Sequence, residues 1–473
     1  MKYRFKKTLK TMLGLSLLLG MSSCEKYLDI NVNPILKSDV TMAEILPTAQ
    51  FYTSELSYSQ AYITCQYIQQ IGSNVGQNGI DAQAETDNSG GWSNFYLNVL
   101  PNLNTLIKKS DAQASPAYGG IAKVLLAYNL GIATVNWENI PFTEADKLNF
   151  APNYDSQESI YGQINTLLDA GIADLAKNTG SKPTTDDLIY GGDLTKWTKL
   201  AYTLKARYAM HQSAKNPTKA ATDALAALSK GFTSNADDFQ LMYNSRNLSP
   251  WYSRVALANN TGNLTVTFSN TLVSKMNDLA DPRLPIMATL RKNQTVYAGV
   301  LPGRGSGATV DFTTAGWYSN VNSPIQMSTF AEAKAIEAEA NFILNGGTKT
   351  SVGSTAKAYD AYIAMIDASM SKLGVSATAK AAFLAKEAVA VKAEKLKLEN
   401  ILNQKFVAMF LIGDIWTDYR RYDYFSLSLP EQHNVDLNGK WIQRMRYPSS
   451  ETARNSAVAQ KNFKNLTDKM WLF

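Results

Sequence analysis

From Val40 to Ile71 apolar side chains return every three or four residues, the spacing that gathers them on one face of a helix. The same period runs through Ile121, Leu125, Tyr128, Ile132 and Val135, and again through Ile160, Ile164, Leu167, Leu168, Ile172 and Leu175. It returns in Trp197, Leu200, Ala201, Leu204 and Tyr208, in Ala333, Ile336, Ala340, Ile343 and Leu344, and in Leu402, Phe406, Met409 and Phe410. Start signals precede three of these runs. Asp155 with Glu158 and Thr329 with Glu332 have capping-box spacing, and Asp193 after Gly191-Gly192 reads as an N-cap. Two segments break the rhythm: residues 72–91, rich in Gly, Asn and Gln, and residues 231–324, rich in Asn, Ser, Thr, Gly and aromatics. The second carries Trp251, Tyr252, Tyr297, Trp317 and Tyr318, too aromatic for a disordered linker, and reads as ordered excursions from a helical frame.

The expected fold is all-α dominated. One-sided helices joined by short loops bury their apolar faces against neighbours, as helical hairpin repeats do, although no tetratricopeptide consensus is legible. The expected organisation is a helical scaffold over residues 41–230, irregular aromatic-rich excursions over 231–324, and a C-terminal helical part over 325–473.

Composition narrows the chemistry. With 473 residues, 45% hydrophobic and 18% charged, the chain is too apolar for disorder and too long for one small core. The net charge of +6 suggests an acidic partner until it is located. Lys2, Arg4, Lys6, Lys7 and Lys10 fall in residues 1–23 with no acid, and the rest of the chain is almost neutral. Nucleic acid is therefore not an expected partner. Two cysteines and two histidines rule out Cys/His zinc sites and haem attachment. His211 and His433 stand beside no G-x-S-x-G or other nucleophile signature, and no cofactor is implied.

Residues 1–23 read as an export signal, with a basic start and the apolar run 11–21 (TMLGLSLLLGM), too short to cross a membrane as a helix. Ser22-Ser23 directly before Cys24 resembles a bacterial lipobox, with Met21 in place of the usual Leu. Cys24 is thus the expected lipidation site, followed by an extended anchor segment over 24–40, and the protein is tethered to a membrane without crossing it. Cys65, in AYITCQYIQQIG, reads as a small buried apolar residue.

Three groups of residues carry possible chemistry. The run from Asp29 to Asn33 opens like a calcium loop, but Pro34 replaces the turn glycine and Val40 the bidentate glutamate. Glu332, Glu337 and Glu339 share a predicted helix, with the outer two on one face. Such a pair suits either a surface glycoside hydrolase or pairing with arginines; Arg420-Arg421 are the candidate partners, and Asp414 and Asp418 can pair locally with the same arginines. Aromatics in non-helical surroundings suit stacking on sugar rings or peptide side chains, which makes Trp92, Trp251, Tyr252, Trp317 and Tyr318 the candidate ligand contacts.

A series of motifs spans nearly the whole chain after Cys24. It begins with Tyr27-Leu28-Asp29-Ile30-Asn31-Val32-Asn33-Pro34, Ile45-Leu46-Pro47, the W-x-x-x-Y of Trp92 and Tyr96, and Ile140-Pro141-Phe142-Thr143-Glu144-Ala145. Tyr154-Asp155 through Ile160-Tyr161, Tyr190-Gly191-Gly192-Asp193-Leu194-Thr195-Lys196-Trp197 and Leu204-Lys205-Ala206-Arg207 follow. Asp281-Pro282-Arg283-Leu284-Pro285, the helix of Ala331-Glu332 and Glu339-Ala340, Gln404-Lys405, Trp416 to Arg421 and Arg446-Tyr447-Pro448 complete it. In this order the motifs resemble the SusD-like (SusD/RagB) nutrient-binding outer-membrane lipoproteins. The chain departs from the family pattern at Trp137 to Phe142, in place of G-D-x-P-Y, and at Tyr202, in place of asparagine. The resemblance implies a tetratricopeptide-type helical scaffold with an irregular, loop-rich ligand-binding part. It implies a lid over a SusC-like TonB-dependent transporter, capturing glycan or, in some members, peptide at the cell surface of a Gram-negative bacterium. It transfers no catalytic residue. The rival readings are a surface glycoside hydrolase using an Asp/Glu pair and a scaffold or adhesion lipoprotein.

Overall fold

Each apolar stripe read above falls on a helix and is mostly buried, although Val40 and Leu344 are exposed and Ile71, Met409 and Phe410 lie beyond the helix ends. The computed structural model describes residues 39–473 except Gln77, Asn78, Asp146, Leu148 and Asn178. Cys24, the signal over 1–23, the calcium-like run from Asp29 and nearly all of the anchor segment lie outside the described residues. The helix α1 (Met42–Tyr67) leads into the short strand β1 (Ile71–Ser73). A helical stretch, Ser89–Asn94, passes through a π turn at Phe95–Val99 into α2 (Leu100–Ala112). Then come α3 (Pro116–Trp137), α4 (Gln157–Leu175), α5 (Leu194–His211) and α6 (Pro217–Leu228). Each of α2 to α6 packs against the helix that follows it, and α1 packs on α2 and α3.

By length and composition α3 is apolar enough to cross a membrane, yet it is buried on nearly all sides, as a core helix is. Small residues let its neighbours approach. A Cβ on Gly120 would stand 3.0 Å from the Gly171 carbonyl oxygen of α4, and one on Gly171 3.2 Å from that of Gly120.

Between α6 and the next scaffold helix the chain makes its long excursion. The strands β2 (Phe239–Leu241), β3 (Val266–Phe268), β4 (Thr289–Leu290), β5 (Val310–Asp311) and β6 (Ile325–Ser328) form, with β1, three two-stranded antiparallel sheets. Pairing of β1 with β3 ties the excursion to the end of α1, and pairing of β2 with β6 joins its own two ends. Beyond it, α7 (Phe330–Leu344) returns to pack on α5 and α6, and α8 (Ala356–Lys372) and α9 (Leu398–Ala408) pack on α7. The short α10 (Ile415–Arg421) brings the Trp416-to-Arg421 motif against α1 and α5.

The caps explain the boundaries. Thr329 and Glu332 form the expected capping box, and Asp193 accepts from the amides of Thr195 and Lys196. At α4 the N-cap is Ser156 rather than Asp155. The Asp155 carboxylate instead accepts from the amides of Phe142 (3.0 Å) and Thr143 (2.9 Å), fixing the I-P-F-T segment. Ahead of α5 the Gly-Gly turn is obligatory: Gly192 has φ +86°, and a Cβ there would stand 2.2 Å from the Pro183 carbonyl oxygen. The turn wraps the Asp187 carboxylate, which accepts from Gly192 N (2.9 Å), the Trp197 indole (2.8 Å) and the Gln50 amide (2.6 Å).

Candidate functional site

The excursion is organised by a column of rings. Tyr62 of α1, Trp251, Phe312, Phe268 of β3 and Phe410 stack in turn, with centroids 6.3, 5.7, 4.4 and 5.2 Å apart and planes within 30° of parallel. Tyr318 meets Phe410 edge-on at 5.0 Å, and Trp317 meets Tyr318 edge-on at 4.6 Å. Each such contact adds about 0.5–1.5 kcal/mol to the burial of the rings. The column joins residues from six separate stretches of chain, which strands of two to four residues could not hold by themselves.

Three of the five sequence candidates, Trp251, Trp317 and Tyr318, therefore come together in one column, with Tyr252 adjacent in sequence. Their exposure divides them. Trp251 and Tyr318 are buried (2% and 5% exposed) and offer no face to a ligand. Tyr252 and Trp317 are half-buried, and among the described residues neither the Tyr252 hydroxyl nor the Trp317 indole N–H has a hydrogen-bond partner. They keep the features that suit a sugar ring: an apolar face, a free polar tip, and nearby amides such as Asn320. Tyr252 lies in a second π turn, Trp251–Ala256, a backbone form that recurs at functional sites.

Trp92 lies apart from the column. It is buried among Tyr96 (4.6 Å), Trp137 (5.1 Å) and Tyr447 (6.0 Å). Tyr96 donates to the Pro141 carbonyl, Trp137 to that of Arg446 and Tyr447 to that of Asn139, joining the first scaffold helices to the C-terminal segment. Burial pushes the hydroxyls of Tyr96 and Tyr447 above the usual phenol range, so they stay protonated donors. Beside this cluster opens a cavity of about 510 Å³, lined by Trp137, Tyr447 and the exposed Phe463, with Arg446, Gln460 and Lys464 as polar groups. The Arg446 guanidinium sits 5.0 Å from the Phe463 ring and 2.7 Å from Glu85. Its size and lining fit a small ligand. Local pattern gives no sign of it, because Trp137 and Tyr447 stand 310 positions apart in the chain.

The glutamates of α7 have partners. Glu332 is clamped by Arg207 of α5 through two bonds of 2.5 Å, and Glu339 is clamped bidentately by Arg421 and bonded by Tyr422 at 2.6 Å. Burial pushes the Glu339 carboxyl up, but Arg421 and Lys405 outweigh it and hold it at about 2. Asp418 joins Arg421 (2.6 Å) and Lys405 (2.7 Å), whereas Asp414 reaches across to His211 (3.0 Å). Arg420 takes no carboxylate. It lies on Trp416, 3.6 Å from the ring centroid, donates to the carbonyls of Val135 and Gln443, and is pushed down to about 10 by burial. His211 bridges the Tyr161 hydroxyl (2.7 Å) and Asp414, a chain of groups with the composition of a proton relay. It is sealed in the scaffold, with His211 only 1% exposed.

Comparison with known proteins agrees with this architecture. Residues 35–448 match the SusD-like family described as starch-binding, associating with the outer membrane. No curated protein matches significantly. Among solved structures, a chitin-binding protein superposes with a TM-score of 0.74 at 23% identity, over 90% of this chain and 99% of its own. A chitin-binding SusD homolog from Flavobacterium johnsoniae gives 0.74 at 21% identity, over 90% and 97%. A SusD homolog from Bacteroides uniformis gives 0.73 at 21%, over 90% and 99%.

Proposed function

The chain belongs to the SusD-like family, and on that premise we propose that it is a non-catalytic, lipid-anchored glycan-binding protein of the bacterial cell surface that delivers oligosaccharide to a SusC-like TonB-dependent transporter. Acylated Cys24 tethers it to the outer membrane, residues 41–230 and 325–473 form the frame, and residues 231–324 carry the ligand contacts. Tethering raises the effective concentration of captor over the barrel, so weak sites suffice. The observation that carries the reading is two half-buried rings, Trp317 set on Tyr318 at the end of the aromatic column and Tyr252 next in sequence to Trp251. The pairing of Glu332 and Glu339 with arginines supports binding over hydrolysis, since neither carboxylate reaches solvent.

Chitin oligosaccharides are the first probes, because two relatives of like fold are described as chitin-binding. Titration by calorimetry is expected to give affinity without product, and Trp317→Ala to weaken binding about 3- to 10-fold. Release of shorter sugars, or full affinity in the Tyr252→Ala/Trp317→Ala double variant, overturns the reading. The cavity beside Phe463 supports a second location for the same ligand. If it is the site, Phe463→Ala and Tyr447→Ala remove binding while the Trp317 variant keeps it.

A further inference from the structure

On the scaffold, a groove of about 600 Å³ opens between α4, α5 and α6 and shares no lining residue with either aromatic site. Its residues follow from helical spacing. Tyr202, Lys205, Ala209 and Gln212 form one stripe of α5, Asn165 and Asp169 are four apart on α4, and Lys219, Asp223 and Ala226 line it from α6. Alanines 209, 220, 226 and 227 leave it open to a close approach.

Its charge departs from that of the chain. Outside residues 1–23 the sequence is almost neutral, yet the groove gathers Lys205, Lys215, Lys219 and Lys230 against Asp169 and Asp223. Lys205 pairs with Asp169 and Lys219 with Asp223 (2.5 Å); both aspartates are at least half exposed, and pairs of that kind exchange readily. The other two lysines, Lys215 and Lys230, have no carboxylate in reach among the described residues. Their ammonium groups stand over aromatic rings, Lys215 at 3.8 Å from the centroid of Trp471 and Lys230 at 5.3 Å from that of Tyr202. These are cations held in place and exposed, without an anion.

The remaining groups say which anion. Among the described residues the lining holds one ring, Tyr202, with Lys230 over one face, a poorer platform for a sugar than the aromatic sites above. Asn165 and Gln212 each spend an amide N–H on the carbonyl four residues earlier, on Tyr161 and Tyr208, and among the described residues no donor meets their side-chain oxygens, which stand as acceptors. Such acceptors above an alanine floor match the N–H groups of an extended main chain, and the lysines match its carboxylates. We propose that the α4–α6 groove docks an extended acidic segment of a partner protein, with carboxylates on Lys215 and Lys230.

The test uses the whole protein and a fluorescent Asp/Glu-alternating peptide read by anisotropy, against an Asn/Gln counterpart. The acidic peptide is expected to bind, to weaken as salt rises, and to lose about tenfold in affinity in Lys215→Glu/Lys230→Glu. A control of equal charge change outside the groove, Lys357→Glu/Lys395→Glu, is expected to alter affinity less than about twofold. Ala226→Trp, which fills the groove without changing charge, is expected to block binding with an unchanged circular dichroism spectrum. Equal loss in the two charge variants, equal binding of the Asn/Gln peptide, survival of binding in Ala226→Trp, or binding of a sulfated oligosaccharide in place of the peptide each overturns the proposal.

Discussion

The helical frame and the irregular layer are built from the same chain with different balances of charge and ring contacts. Where α5, α7 and α10 meet, the frame is cross-linked by buried charge: Arg207 with Glu332, and Arg421 with Glu339 and Asp418. Within the irregular layer stacked rings and neutral side chains bonded to backbone, such as Asn259 to the Val266 carbonyl (3.0 Å) and Thr267 to that of Val310 (2.9 Å), do most of the linking, beside one fully buried ion pair, Arg283 with Asp281. Ion pairs are directional and costly to leave incomplete, so they fix the register of helices that would otherwise slide. Rings tolerate small rotations, which suits short strands brought together from distant parts of the sequence.

Breaking one link in each region tests the contrast. Arg421→Met strands the Glu339 carboxylate and is expected to cost about 3–5 kcal/mol in urea unfolding. A loss no larger than that of a surface substitution would mean the frame does not depend on its charges. Phe312→Ala removes the middle of the column and is expected to cost about 3–4 kcal/mol, with a change in Trp251 fluorescence that Arg421→Met does not produce. Acid sharpens the difference. The Glu339 carboxyl, depressed from 4.5 to about 2 in the fold, contributes stability that is fully present above about 4.5 and lost as pH falls toward 2. The loss, up to roughly 3 kcal/mol, is expected to shrink in Glu339→Gln and to persist in Phe312→Ala. Gly192→Ala forces a side chain into a left-handed turn against Pro183 and is expected to cost about 2 kcal/mol in thermal unfolding. Smallest of all, Trp317→Ala is expected to cost less than about 1 kcal/mol, its effect appearing in ligand titration instead.

The frame was legible because its signals are local. Periodicity found α1, α3, α4, α5 and α7, and Thr329 and Asp193 act as the caps they resemble. Cys65 is fully buried, as its stripe implied. Asp155 misled because Ser156 beside it is an equally good cap, and only the fold reveals that the aspartate is needed at Phe142. The arginine partners were half legible. Arg421 stands close in sequence to Asp418, but Arg207 meets Glu332 across 125 positions, and Arg420 turns to carbonyls and the Trp416 ring. The aromatics were least legible, because residue type does not reveal which face of a ring is covered. Trp92, Trp251 and Tyr318 are buried among other rings, while Tyr252 and Trp317, each next in sequence to one of them, stay half-buried, Trp317 with only the ring of Tyr318 against it among the described residues.

The pairing of β2 with β6 has a consequence for how such proteins diversify. Phe239 sits opposite Ser328 and Leu241 opposite Ile325, while Asp238 just before them bonds the first amide of α7 at 2.7 Å. The long segment between is thus closed at its neck, and its exposed loops can change length cheaply: doubling a flexible loop costs only about 0.6 kcal/mol in closure entropy. Selection can lengthen or shorten those loops while β1–β3 and the ring column keep their places and α6 and α7 still meet as before. A chimera that exchanges only those loops is the natural way to move one binding specificity onto another frame.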